Sequence, residues 1–330
     1  MRRSRIVGTG SYLPSRAVAN GEVSPRLRLS PEAVYRRTGI RSRRWAADGQ
    51  ASSDLAAEAA RAACESAGVD AATVDTIIVS TTSPDMAFPS TACHLQRRLG
   101  AARAAAFDLA ASCSGFLYGL SMADGLIRSG QSQRCLVVAA EVKSRFLDLE
   151  DETTAVLFGD GAGAALMVGE QEQAGRPPGL MGVRLYADGS RYGLLHMPAG
   201  GSRRPATAET VRQRQHVIRM QGGPLFRTAV RRLADAVQAM LKEFGIGVDD
   251  LNRVLFHQAN GRLLRAVAKR LQLSDDRQYS VLEQFGNTSS ASLPIAMDHA
   301  VRGGAIRAGD LVLLGTFGGG LTWATALLRW

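Results

Sequence analysis

The chain has only four cysteines, Cys64, Cys93, Cys113 and Cys135, among 330 residues. They are too few and too scattered for a disulfide framework. There is no C-x-x-C pair and no H-E-x-x-H segment, so no metal-ligand spacing is present. Cys93 and His94 are adjacent but have no nearby partners, and read as a buried helix cysteine beside a surface histidine. No stretch approaches the ~18 consecutive apolar residues of a membrane span. The start, MRRSRIVGTGSYLP, is basic, but its apolar stretch is too short for a signal peptide. These absences predict a cytoplasmic protein with no membrane partner. Lysine is nearly missing, with Lys143, Lys242 and Lys269 the only three. The net charge of +10 is therefore almost all arginine, which suits an acidic partner. The arginines are spread along the chain, with no aromatic-interleaved RNA motif and no zinc-finger spacing. Nucleic acid is not the expected partner.

What remains is an ordinary globular composition, 45% hydrophobic and 21% charged. Short β-branched runs (Ile77 to Ser80, Cys135 to Ala139, Leu311 to Leu314) alternate with longer helical patterns. The helices are expected over Leu55 to Ser66, Gly115 to Ser129, Leu225 to Phe244 and Arg262 to Leu271. That alternation predicts parallel βαβ units and an α/β fold. The pattern also repeats. AGVDAATVDTIIVST resembles FGIGVDDLNRVLFHQ, and Asp75 aligns with Asn252 at an offset of 177. The strand at Leu136 matches that at Leu311, and the loop after AFDLAAS matches the loop after YSVLEQF. Two superposable halves follow, residues 1–172 and 173–330, joined through the polar, Pro-rich QEQAGRPPG. In a duplicated α/β fold the chemistry belongs where the halves meet, at strand ends and helix starts.

Cys113 lies in FDLAASCSGFLYGLSMADGLI, between a strand-like run and a long apolar helix. That places its thiol at a helix N-terminus, where unpaired N–H groups and the dipole favour a thiolate. His257 in VLFHQAN ends a buried strand, and its polar neighbours Gln258 and Asn260 suggest the strand is leaving the core. Asn287 sits in QFGNTSSASLP, a loop entering a helix, where a turn or N-cap role is the simpler reading. The repeat puts His257 opposite Ser80 and Asn287 near the mate of Cys113, so both halves contribute to one site. Gly318, Gly319 and Gly320 allow close backbone approach after a strand, as an oxyanion hole or a tight turn. GDGAGAA lacks the Lys-Ser/Thr of a phosphate loop and reads as strand packed closely on helix.

With these residues, SCSGFLYGL, FHQAN, FGNTSSASLP, FGDGAGAA and FGGGLTWATALLRW, together with TGIRSRRWA and FPSTAC, the chain resembles the β-ketoacyl-acyl-carrier-protein synthase III family. The resemblance runs from Ile6 to Trp330. It implies the thiolase fold, with internally duplicated αβαβα halves and mixed five-stranded sheets. It also implies decarboxylative condensation of an acyl primer with malonyl-acyl-carrier-protein, in a homodimer, with no metal or organic cofactor. Cys113 then resembles the nucleophile, and His257 and Asn287 the pair that binds the malonyl thioester carbonyl. The N–H groups of Cys113 and Gly319 resemble the oxyanion hole. Phe88, reaching across a dimer interface, and Phe317 would wall the acyl pocket.

The resemblance breaks at two positions. Members that accept acyl-CoA stack the adenine between a Trp and an Arg, here Ala33 and Glu152, and Glu152 would repel CoA phosphates. The primer is therefore expected mainly on an acyl carrier protein. Arg37 remains near the entrance. Arg227, Arg231, Arg232, Arg262, Arg265, Lys269 and Arg270 form a basic face suited to that carrier. The alternatives are a dedicated-pathway relative (a biotin-precursor synthase with a dicarboxylic primer, or a polyketide or alkylquinolone starter) and an acyltransferase to an alcohol or amine. Arg145 is the candidate partner for a second carboxylate.

Overall fold

The computed structural model describes residues 2–171 and 179–330. The expected boundary at 172/173 lies outside the described residues. The first sheet contains β1 (Arg2–Tyr12), β2 (Thr76–Ser80), β3 (Ala105–Leu109), β4 (Arg134–Glu141) and β5 (Gly161–Gln171). Its spatial order is β1-β5-β4-β2-β3, with β4, β2 and β3 parallel and β5 antiparallel to both its neighbours. The second contains β6 (Leu180–Ala187), β7 (Arg253–Phe256), β8 (Leu311–Gly318) and β9 (Thr322–Arg329). Its order, β6-β9-β8-β7, repeats the same pairing directions. Among the described residues the second sheet has four strands where the first has five. In the fifth place a single parallel bridge joins Val254 to Gln278.

Helices complete five layers. α1 (Pro31–Thr38) lies at one rim of the later cavity, while α2 (Ser52–Ser66) and α3 (Thr91–Leu99) cover the outside of the first sheet. α4 (Gly115–Arg128) and α7 (Ser292–Arg302) lie between the sheets, in one core shared by strands of both. α5 (Gly222–Phe244) and α6 (Gly261–Leu271) cover the second sheet. The residues explain these places. β2 reads TIIVS and is buried throughout, as a central parallel strand must be. α4 buries Phe116, Leu117, Leu120, Ala123 and Ile127 around much of its circumference, as an inner helix does. α6 is one-sided: Leu264, Val267, Ala268 and Leu271 face the core, while Arg262, Arg265, Lys269 and Arg270 face water. The glycines of GDGAGAA bring β5 onto α7. A Cβ on Gly163 would lie 2.7 Å from the backbone N of Ile295.

The repeat has a local counterpart at the seam. A 3-10 turn, Ser112–Ser114, enters α4, and its mate, Ser289–Ala291, enters α7. Both turns begin on a serine in the left-handed region, Ser112 at φ 50° and Ser289 at φ 52°. Non-glycine residues are held there only where the surroundings over-determine them.

Candidate active site

Cys113 sits in the first of these turns and is 5% exposed. The β8–β9 hairpin clamps the turn: Thr322 Oγ1 donates to the Ala111 carbonyl at 2.8 Å, and Ser114 Oγ donates to the Thr322 carbonyl at 3.0 Å. Gly318 is pressed against Cys113, where an added Cβ would lie 2.7 Å from the Cys113 backbone N. Gly319, the residue expected here from the sequence, lies one step further along. Its Cβ would meet the Leu195 carbonyl and Ser112 Oγ, each at 3.0 Å. Gly318→Ala is therefore expected to displace the thiol and cut condensation by about 10²-fold, read by a carrier-protein condensation assay. An unchanged rate would show that the turn relaxes.

The sequence predicts a thiolate at this helix start, but burial wins. It pushes the Cys113 thiol up to about 11, and the Glu141 carboxylate adds to the rise. The Ser289 hydrogen bond and the Lys143 ammonium oppose it without overcoming it. Ser289 Oγ lies 3.5 Å from Cys113 Sγ and also donates to Glu141 Oε1 at 3.1 Å, which ties the thiol to the buried carboxylate. In a Cys93→Ser background, iodoacetamide labelling of Cys113 should be slow near neutrality and still rising from pH 9.0 to 11. A plateau below pH 9.0 would contradict this. The Cys93 substitution is needed because Cys93 is exposed and His94 half-buried, the reverse of the expectation.

His257 follows β7 and is 4% exposed. Its backbone N–H donates to the Gly315 carbonyl at 2.8 Å, fixing the ring at the end of the second sheet. Nδ1 lies 2.6 Å from Ser292 Oγ, which already accepts the Gln258 N–H at 3.0 Å. The Ser292 proton is then free for Nδ1, which leaves the imidazole proton on Nε2. Ser292 opens α7, whose N-terminus also disfavours a charged ring. Burial holds His257 down to about 3. The sign follows. Between pH 6.5 and about 3 the unfolded imidazole binds a proton that the folded one refuses, so stability is lost as pH falls through that window. His257→Gln should flatten the Tm–pH curve there, as calorimetry would read.

Asn287 is held by backbone bonds on both sides, its N–H to the Leu157 carbonyl at 2.9 Å and its carbonyl from the Gly159 N–H at 3.0 Å. Its Oδ1 accepts the Ser289 N–H at 2.8 Å, while Nδ2 donates to the Ala259 carbonyl at 3.3 Å. The amide is thereby oriented with Nδ2 as the donor toward substrate. Gln258, expected to leave the core, is instead 1% exposed. Its Oε1 accepts from Ser280 Oγ and from the N–H groups of Val281 and Leu282. Asn260 caps α6, accepting the Arg262 N–H at 2.8 Å.

Linked to Cys113 through Ser289 lies a buried carboxylate that the sequence reading passed over. Glu141 ends β4 and is fully buried. It accepts from Ser83 Oγ at 2.6 Å, Ser290 Oγ at 2.9 Å and Lys143 Nζ at 3.0 Å. Burial alone would raise its carboxyl, but the Lys143 ammonium and the hydroxyl donors hold it below the usual carboxylate range. The alternation Glu141-Val142-Lys143 at a strand end, which puts both charges on one side, is the signal that could have revealed it.

Cys113, His257 and Asn287 all line one cavity of about 420 Å³, together with Phe317 and, at its rim, Arg37, Arg227 and Arg262. A second cavity of about 220 Å³ shares Cys113, Phe158 and Leu195 with the first. Phe88, Arg145, Arg232, Lys269 and Arg270 line neither cavity. Phe88 is 84% exposed and walls neither cavity of its own chain. Lys269 is exposed on α6, and Arg270 is paired with Asp235 at 2.9 Å. Arg232 turns inward over the Trp323 ring. Glu152 is not a free anion: it pairs with Arg37 at 3.0 Å across the rim. Arg145 is exposed and donates to the Ala47 carbonyl, far from any role in a pocket. Among the described residues, no group of three or more His, Cys, Asp or Glu could hold a metal, and no helix is long and apolar enough to cross a membrane.

Duplicated halves with the inner helices back to back, and a cysteine at the head of one of them, define a thiolase-fold acyltransferase. The family model described as 3-oxoacyl-[acyl-carrier-protein] synthase III matches residues 107–189, and that of its C-terminal part matches 241–330. A β-ketoacyl-[acyl-carrier-protein] synthase III of Caldanaerobacter subterraneus is 46% identical over 98% of this chain and 97% of the relative. The crystal structure of 3-oxoacyl-[acyl-carrier-protein] synthase III from Aquifex aeolicus superposes with a TM-score of 0.90 at 37% identity, covering 99% of this chain and 100% of that one. The priming β-ketosynthase of the R1128 polyketide pathway gives 0.91 at 37% identity, covering 99% and 96%. The chain belongs to the 3-oxoacyl-[acyl-carrier-protein] synthase III family.

Proposed function

We propose that this enzyme joins an acyl primer to malonyl-acyl-carrier-protein, releasing CO₂ and giving a 3-oxoacyl carrier protein. One observation carries the reading: Cys113, His257 and Asn287, from both halves, face a single cavity. Cys113 sulfur attacks the primer thioester, the donor's C–S bond breaks, and the thiol proton leaves with the donor thiol. Transfer between two thioesters is nearly balanced. Malonyl then loses CO₂, and the electron pair of the broken C–C bond becomes an enolate. His257 Nε2–H and Asn287 Nδ2–H are two neutral donors for its oxygen. The enolate carbon attacks the acyl-Cys113 carbonyl, a C–C bond forms, and Cys113 leaves as a thiolate that takes up one proton. N–H groups of Cys113 and of the Gly318–Gly319 segment are placed to hold the second oxyanion.

Acyl carrier protein is the preferred donor in this reading. Ala33 offers no ring to stack on, and Glu152 neutralises the entrance cation Arg37. Arg262 and Arg227 remain at the rim for the acidic carrier. Lys269 extends the same face of α6. Phe88 is proposed to act in a homodimer, where its exposed ring would close the acyl cavity of the other copy. Intact-protein mass spectrometry with each primer, offered on CoA and on carrier protein, tests the assignment. An acyl adduct from carrier-protein donors is expected. Equally fast loading from CoA would overturn the donor preference, and no adduct from any donor would overturn the acyl-enzyme. Arg262→Glu should raise KM for carrier-protein substrates by about tenfold, leaving loading from acyl-pantetheine unchanged.

A further inference from the structure

The second cavity contains a charge that fatty acyl chemistry does not need. It shares Cys113, Phe158 and Leu195 with the His257–Asn287 cavity, so an acyl group on the thiol can extend into it. Much of its wall is apolar, with Phe146, Phe158, Leu195 and Ile218. The Lys143 ammonium lines it too, with Thr82, His196 and Ser289. Lys143 is one of only three lysines in the chain, and its side chain is 7% exposed.

Burying an ammonium is costly unless an anion compensates it. Glu141 supplies one at 3.0 Å, but Glu141 does not need the lysine alone. Its two oxygens also accept from the hydroxyls of Thr82, Ser83, Ser289 and Ser290 and from the Thr82 N–H. The carboxylate charge is thus spread over a surplus of donors, whereas Lys143 has one carboxylate and the Thr82 hydroxyl as acceptors. Its third N–H has no protein acceptor among the described bonds. His196 Nδ1, on the same wall, is likewise a buried polar atom without a partner. Two polar groups on the wall of this cavity thus have hydrogen-bonding capacity that no protein group among the described residues uses.

We propose that the primer taken by this enzyme is a short acyl group ending in a carboxylate, with Lys143 as its specificity-determining residue. The inference rests on the acyl-Cys113 reading. A volume of 220 Å³ holds about seven groups the size of a water molecule, which fits an acyl group of about four to six carbons including the terminal carboxylate. A carboxylate there would meet the free ammonium N–H, leaving Glu141 with its hydroxyl donors. The reaction upstream must then supply a dicarboxylic monothioester, and the product carries a 3-oxo group between a thioester and a distal carboxylate.

The test is a competition on Cys113. The enzyme is mixed with equal glutaryl and shape-matched acyl carrier-protein thioesters, the second having isopropyl in place of the terminal carboxylate. Intact mass spectrometry reads the ratio of the two adducts. The wild type should favour glutaryl by at least about tenfold, a preference within reach of one buried charge pair. Lys143→Met should reverse the ratio, and Lys143→Arg should restore it. Because the readout is a ratio within one preparation, partial loss of folding does not imitate the effect. A wild type that favours the isopropyl group, with the ratio unchanged in Lys143→Met, would overturn the proposal and leave Lys143 as a partner for Glu141 only. Failure of both donors to label Cys113, with Cys113→Ala equally silent, would overturn the acyl-enzyme reading itself.

Discussion

Cys113→Ala abolishes the acyl adduct and, with it, condensation, while leaving CO₂ release from malonyl-acyl-carrier-protein measurable. The expected fall in condensation is on the order of 10⁶-fold, the scale seen when a covalent nucleophile is removed from an enzyme whose parts act as a unit. The reason for the split lies in the supports. Cys113 is held by the β8–β9 hairpin and by Ser289, whereas His257 and Asn287 hang from Ser292, Leu157 and Gly159. Removing the thiol leaves both donors in place. Parallel assays of the mass adduct, product formation and released ¹⁴CO₂ would read the three activities from one preparation. Retention of condensation without an adduct would exclude the covalent route.

The complementary change is His257→Ala. It should leave loading of Cys113 intact and lower CO₂ release by on the order of 10²- to 10³-fold, the usual effect of losing one oxyanion donor. Its pH signature follows from burial. With the imidazole held down to about 3, the ring stays neutral through the working range. It donates from Nε2 without titrating, so the decarboxylation rate of the wild type should show no ionisation near 6.5. An acid limb at that pH, lost in His257→Ala, would mean that the ring is charged during turnover. Asn287→Ala should behave like His257→Ala, because the imidazole N–H and the amide N–H serve one oxygen.

The elements most legible in the sequence were those with the strongest period. β2, β4 and α6 follow directly from their apolar spacing, and the offset of 177 between Asp75 and Asn252 carries over to the mated turns at Ser112 and Ser289. The fifth strand of the second sheet was expected by symmetry but shrinks to the Val254–Gln278 bridge, because SDDRQYS is polar and carries no strand pattern. Cys113, His257 and Asn287 stood out because each sits where a strand or loop gives way to a helix. The titration of Cys113 did not, since a helix start is visible in sequence but the burial that overrides it is assembled from both halves. The same holds for Lys143. Arg145 looked the better candidate for a carboxylate, yet the strand ends at Glu141 and the 3-10 turn Ser144–Phe146 carries Arg145 into water.

The two mated turns also record how the site came to be one-sided. At the offset of 177, Cys113 mates with Ser290, and Glu141 with Gly318. Each strand end touches the turn of the opposite half: Ser290 Oγ donates to Glu141 at 2.9 Å, and Gly318 abuts Cys113. The two contacts are equivalent in position and different in chemistry. Where the strand end kept a carboxylate, the turn it meets is fastened by hydrogen bonds and is chemically silent. Where the strand end lost its side chain, the facing turn gained room for a carbonyl to become tetrahedral. The halves differ at both pairs of positions, and a side chain placed at Gly318 would crowd the Cys113 turn out of the room a tetrahedral carbonyl needs.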